Sequence, residues 1–324
     1  MTATALFDQW IGRHCQIDGP ITQQAVDAYQ LEALRRQAAY AVEHSRFYRQ
    51  LYAGYDLDDP LSLPLISSDD IVAAGTSVVC LSQSRIKRIV TMMTSGSTAA
   101  PKRIYFSEAD LELTIDFFAN GMLFMTAPGE RVMICMDGQT PDGLGDLLAR
   151  GLRRDHIEPL VYGYLRDIKD AAVYAAEHQP HCLVGVPQQV LALAEFYPQL
   201  RPRTVLLSAD NVPDELRQRI EQLWQTEVFS HWGMRETGLG GAVECPEHDG
   251  HHIRHADLFL EIIDPQSGQR LPDGQWGEIV ISTLTREAMP LLRYRTGDIS
   301  RLIVAPCRCG SPLKRLDAVE GHKI

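Results

Sequence analysis

No stretch of this sequence is apolar for long enough to cross a bilayer, and Met1 to Trp10 hold no basic segment followed by an apolar h-region. A cytoplasmic protein is the expectation. Positive charge is also in short supply: 31 Lys+Arg against 42 Asp+Glu leave −11, which argues against nucleic acid or an anionic membrane as the main partner. Internal repeats and low-complexity tracts are lacking. So is the pattern G-x-x-x-x-G-K-[ST], which disfavours an ordinary P-loop kinase.

What is present begins with 324 residues of 45% hydrophobic composition, enough for one large domain or two modest ones. Of seven cysteines, Cys15, Cys80, Cys135 and Cys182 are scattered, the last three in apolar runs that favour buried, reduced thiols. Cys245, Cys307 and Cys309 lie among turn residues instead. The densest chemistry is Thr94-Ser95-Gly96-Ser97-Thr98-Ala99-Ala100-Pro101-Lys102. The β-branched Ile89, Val90 and Thr91 before it and Ile104-Tyr105-Phe106 after it predict a turn between two short strands. Its hydroxyls, amides and lysine suit a phosphate; the plainer reading is a Ser/Thr-rich surface loop.

Residues 21–48 carry Leu31, Leu34, Ala38 and Val42 at helical spacing. Ser67 or Ser68 reads as the N-cap of a helix with Asp69 and Asp70 in its first turn, and Ser107 with Asp110 as a reciprocal cap on a long helix. From Arg131 to Ser230, strands and helices alternate, which predicts a largely parallel sheet covered by helices on both faces, its ligand site at the carboxyl ends of the strands. After Gly240 the pattern turns to strands alone, over 258–263, 277–283 and 291–304, predicting an antiparallel, β-rich subdomain. The division expected is 1–240 for a helical N-terminus and α/β core, 241–318 for the β-rich subdomain, and 319–324 for the start of a hinge.

Three further stretches can carry chemistry. His231-Trp232-Gly233-Met234-Arg235-Glu236 follows the last parallel strand; its acid could hold Mg²⁺ and its aromatic cover a purine, or it is an ordinary glycine-containing loop. Arg293-Tyr294-Arg295-Thr296-Gly297-Asp298 contains a Thr-Gly-Asp that alone reads as a common turn. Cys245, then His251-His252, then Cys307-Arg308-Cys309-Gly310 offer thiols and imidazole either for zinc or as free side chains. In an extended segment His251 and His252 face opposite ways.

Taken together, these motifs closely resemble those of the adenylate-forming superfamily of acyl- and aryl-coenzyme A ligases, and among them the phenylacetate-coenzyme A ligases. The resemblance implies that Thr94, Ser95, Gly96, Ser97, Thr98 and Lys102 wrap the outer phosphates of ATP, with Ala99 where the family has glycine. It gives Trp232 the adenine face, Glu236 the Mg²⁺ and phosphate, and Asp298 the ribose hydroxyls. Ser208, Ala209 and Asp210, with Ser230, His231 and Gly233, would line the nucleotide. Arg235 replaces a hydroxyl residue and adds a cation. Cys245, His252, Cys307 and Cys309 match the family's cysteine and histidine positions, implying structural zinc. The family's hinge G-R-x-D-D aligns with Val319-Glu320-Gly321-His322, and its C-terminal domain, with a catalytic lysine, has no counterpart in the sequence.

The function implied is ATP-dependent activation of an aryl or arylacetic acid to an acyl-adenylate, with onward transfer to coenzyme A. Glu236, Arg235 and Lys102 would carry the catalysis. The rival is a nucleotide-binding module with little turnover, or an adenylating partner of a separate C-terminal domain or acyl carrier; a homodimer fits either. Phe117, Phe118, Met136 and Gly185-Val186-Pro187 are the residues that would line an acid pocket, or simply fill the core.

Overall fold

A computed structural model describes residues 2–92, 101–210 and 212–321. In chain order the helices are α1 (Ala3–His14), α2 (Gln23–His44), α3 (Arg46–Leu51), α4 (Ser68–Ala74), α5 (Glu108–Met122), α6 (Leu144–Arg154), α7 (Ile168–His178), α8 (Pro187–Phe196) and α9 (Asp214–Trp224). The strands are β1 (Arg88–Met92), β2 (Lys102–Phe106), β3 (Arg131–Cys135), β4 (Glu158–Val161), β5 (Cys182–Gly185), β6 (Thr204–Leu207), β7 (Glu227–Trp232), β8 (Ala242–Glu244), β9 (His251–Ile253), β10 (Leu258–Ile263), β11 (Gly277–Thr283), β12 (Tyr294–Ser300), β13 (Leu302–Ile303) and β14 (Arg315–Leu316). They form two units: Met1–Phe7, Thr114–Met234 and Leu239–His251 make the first; Asp8–Leu113, Arg235–Gly238 and His252–Ile324 the second.

In the first unit the sheet runs in the order β8, β7, β6, β5, β3, β4. Pairing is parallel from β4 through β7, and β8 joins antiparallel with His231 opposite Val243. The chain goes outward from β3 to β4 and then returns to β5 on the other side of β3, so the direction of winding reverses there. At such a reversal two loops part at the carboxyl ends of the strands and leave a crevice. The strands bury Met133, Leu183, Val205, Leu207 and Val228 against Ala171, Ala175, Val190, Leu193 and Ile220 of the helices. Near-continuous apolar strands are what a sheet covered on both faces requires. Trp224 closes one side, fully buried, its indole N–H donating to the Tyr197 carbonyl.

The second unit is built on α2, whose buried stripe is Val26, Gln30, Ala33, Leu34, Gln37, Ala38 and Ala41. Its two buried glutamines act as clamps: Gln30 donates to the carbonyls of His255 and Leu258, and Gln37 to that of Arg286. The antiparallel sheet β10-β11-β12 lies in this unit, as do the hairpins β1-β2 and β13-β14. The strands predicted around the hydroxyl-rich turn are present, paired from Arg88 opposite Phe106 to Met92 opposite Lys102. Thr94, Ser95, Gly96, Ser97, Thr98, Ala99 and Ala100 lie outside the described residues, as does His322.

The sequence reading missed α1 altogether and ran α2 on into α3. Ser45 divides them, its extended backbone taking it out of the helix and its hydroxyl capping the Tyr48 amide. The strand predicted over 291–304 is two strands, and the strand expected to end at Ser230 continues to Trp232 because β8 pairs with it.

Candidate active site

Within the second unit, three residues from three separate stretches meet below the surface. Lys102 opens β2, Glu236 sits in the short turn 235–238, and Tyr294 opens β12. The Lys102 ammonium forms an ion pair with Glu236 Oε1. It also donates to the Tyr294 phenol at 3.0 Å, and that phenol donates to the same Glu236 oxygen at 3.2 Å. Glu236 is 2% exposed. A carboxylate so far from water needs a cation and donors, and this one has both. Its main chain is fixed as well, since the buried Arg286 donates to the Glu236 carbonyl at 2.7 Å and lies over the Phe106 ring.

The phenol is held just as closely. Arg293 precedes it with φ of +51°, a conformation that costs a residue other than glycine some strain. Ser282 accepts its amide, Glu261 takes its guanidinium in a buried two-point pair, and Leu63 accepts a further N–H. These bonds hold the backbone that aims Tyr294 at Glu236. Burial, together with the Glu236 charge, drives the phenol pKa well up, so Tyr294 stays a protonated donor. Asp298 lies half-buried further along β12, near enough to add to that shift. Gly297 makes its turn with φ of +79°, donating its amide to Glu278. Arg235 points to solvent.

The second unit also gathers sulfur. His252 Nε2 and Cys309 Sγ are 3.4 Å apart, and the ligand atoms of His252, Cys307 and Cys309 lie within 4.8 Å of one another. Gly310, at φ of +100°, turns the chain so that its amide meets the Cys307 carbonyl, while Ser311 accepts the Cys307 amide and donates its hydroxyl to Asp8. Thiolates and imidazole closed by a tight turn are a donor set that fits zinc. His251 faces away and bonds Ser230 in the first unit, as alternation requires. Cys245, buried at the end of β8, belongs to the first unit.

In the first unit a cavity of about 30 Å³ is lined by Phe117, Phe118, Met122, Leu148, Val184 and Leu206, with one polar corner. There Ser208 and His231, at the ends of β6 and β7, are bonded at 2.6 Å. Burial pushes the His231 pKa down to about 4, so the ring is neutral at ordinary pH. Of the residues expected to line an acid pocket, Phe117 and Phe118 line this cavity, while Met136 and Gly185-Val186-Pro187 are not among its described lining residues. Ala209, next to Ser208, takes φ of +69°. Trp232 is buried at 7% exposure and crowds Gly241, where a Cβ would meet its ring at 2.6 Å.

The chain matches the AMP-binding enzyme family over residues 161–285. It is 28% identical to phenylacetate-coenzyme A ligase of Pseudomonas putida over 326 residues, covering 94% of this chain and 72% of that protein. For the Escherichia coli K12 enzyme of the same name the identity is 26% over 329 residues, with 94% and 73% covered. The chain is thus similar, over most of its length, to AMP-binding enzymes of the phenylacetate-coenzyme A ligase type. Its fold agrees: a 2-hydroxyisobutyryl-CoA ligase in an open conformation, crystallised with 2-HIB-AMP and CoA, superposes with a TM-score of 0.81 at 22% identity, covering 93% of this chain and 71% of that one. Two residues of the buried cluster carried no role in the sequence. Tyr294 stood within a quoted motif without a role, and Arg286 had no motif to mark it.

Proposed function

We propose that the protein activates a carboxylic acid of aryl or arylacetic type with ATP and passes the acyl group to coenzyme A. The observation that carries this reading is the buried Lys102, Glu236 and Tyr294 cluster with Asp298 beside it, built from motifs in superfamily order. A carboxylate oxygen of the acid attacks the α-phosphorus and pyrophosphate leaves. The thiol of coenzyme A then attacks the acyl carbon and AMP leaves with that oxygen.

Lys102 neutralises phosphate charge as it builds up, and Asp298 accepts from the two ribose hydroxyls. Thr94, Ser95, Gly96, Ser97 and Thr98 keep their assignment to the phosphates, and Ser208, Ala209, Asp210, Ser230, His231, Trp232 and Gly233 theirs to the nucleotide, both on the resemblance. The Glu236 carboxylate is an oxygen donor suited to Mg²⁺, which when bound supplies charge to the triphosphate. The apolar, aromatic lining of the first unit's cavity matches a hydrophobic acid in chemistry, and its side chains would have to move apart to admit a ring. Zinc is assigned to Cys245, His252, Cys307 and Cys309 as a closed, structural site; Cys245 precedes His252 on the same stretch of chain.

The test is pyrophosphate exchange into ATP across a panel of carboxylic acids. Exchange that requires an aryl or arylacetic acid is expected. ATP binding without exchange under any acid would instead identify a binding module.

A further inference from the structure

The cluster around Glu236 has a property that the roles above leave unused. Lys102 is bonded to the same acid that would face the metal. A triphosphate offers the ammonium a more highly charged partner, and once Lys102 turns to it the buried Glu236 loses its counter-charge. Arg286 grips only the main-chain carbonyl of Glu236, and its bond does not orient the carboxylate.

We infer that Tyr294 is the positioning residue for this exchange: its hydroxyl holds the Glu236 carboxylate in place while Lys102 leaves it for phosphate and a divalent cation takes up its charge. This rests on the nucleotide reading above and adds a residue to it. The geometry favours the phenol for two reasons. It touches both partners, at 3.0 Å and 3.2 Å. It is 2% exposed and lies on a strand, with Ile66 bridged to its backbone. Its ring also lies 5.6 Å below the ammonium, a site to which Lys102 can return when the phosphates depart.

Tyr294→Phe keeps the ring and removes only the shared hydroxyl. Calorimetric titration of the full chain with Mg²⁺·ATP and with AMP is the test. The variant should bind Mg²⁺·ATP roughly tenfold more weakly, as for the loss of one hydrogen bond to a charged group, with AMP affinity changed less than about twofold. In a Glu236→Gln background, Tyr294→Phe should add less than about twofold, since its partner is already altered. Equal losses for both nucleotides, no loss for either, or an undiminished loss in the Glu236→Gln background would overturn the inference. If the wild-type chain binds neither nucleotide, the nucleotide reading itself falls and this inference with it. Should Tyr294→Phe not fold, 3-fluorotyrosine at position 294 keeps the test: its ¹⁹F resonance should move on adding Mg²⁺·ATP and not on adding AMP, and the reverse would refute the role.

Discussion

Asp298 and Glu236 are both carboxylic side chains, and the different roles proposed for them follow their different surroundings. Asp298 is half-buried at a turn, where two neighbouring hydroxyls could reach it; Glu236 is enclosed, with an ammonium already in place. Asp298→Ala should therefore lower affinity for ATP and AMP alike, by about 1–3 kcal/mol, because it leaves two ribose hydroxyls without an acceptor. Glu236→Ala should weaken Mg²⁺·ATP far more than AMP. Calorimetry of both variants with both nucleotides separates the two roles, and an unchanged AMP affinity in Asp298→Ala would remove the ribose assignment. At this scale the sequence was legible wherever a motif marks a residue. It singled out Lys102, Glu236 and Asp298 as candidates but not the bond between the first two, because nothing in a linear motif says which distant acid a lysine will meet. Tyr294 was hidden for the same reason: its importance lies in contacts to two other stretches of chain.

Among the elements, local signals held wherever a cap or a period sets the structure. Ser67, one of the two serines expected to cap α4, is its N-cap and also exchanges bonds with Asp70, while Ser107 and Asp110 form the reciprocal cap expected of them. β10 and β11 fall on their predicted residues, since alternation and flanking turns define both ends. The predictions failed where tertiary pairing extended or divided an element, as with β7. One position in β11 has little freedom: a Cβ on Gly277 would lie 2.3 Å from the Ile263 carbonyl of the neighbouring strand. Gly277→Ala should cost about 1–3 kcal/mol of stability by overpacking, measurable by urea denaturation. The turn at Cys307 to Gly310 makes a separate prediction. If the proposed zinc is bound, protein purified without chelator should contain about one zinc per chain, and Cys307→Ser should lose both the metal and thermal stability, since a structural metal adds its binding energy to folding. Zinc-free native protein, or a Cys307→Ser variant that melts with wild type, would count against the site.

Over the whole molecule, burial of ionisable groups sets the response to pH. His231 and His255 both have pKa values pushed down to about 4, chiefly by burial, from an ordinary 6.5. The folded protein holds them neutral, so the stability they contribute is complete above about pH 6.5 and is lost as pH falls towards 4. His248, raised by its bond to Glu244, acts in the opposite sense and gives up its contribution as pH rises through its folded value. Denaturant midpoints should therefore fall steadily from pH 6.5 to 4.5, and His255→Asn, though less stable at pH 7, should show a shallower fall. An identical slope in the variant would show that His255 is not held neutral. Alternation of strands and helices made the α/β class and the β-rich stretch legible from sequence. That both units are assembled from interleaved stretches was not, because periodicity reports on neighbours in the chain only.

Attack of an acid's carboxylate on the α-phosphorus of ATP leaves an isotopic trace. An aryl or arylacetic acid labelled with ¹⁸O in its carboxylate is supplied with ATP, Mg²⁺ and coenzyme A, and the products are read by mass spectrometry. One labelled oxygen is expected in AMP and none in pyrophosphate. Label found in inorganic phosphate alongside ADP, or product formed with no label in AMP, would contradict it.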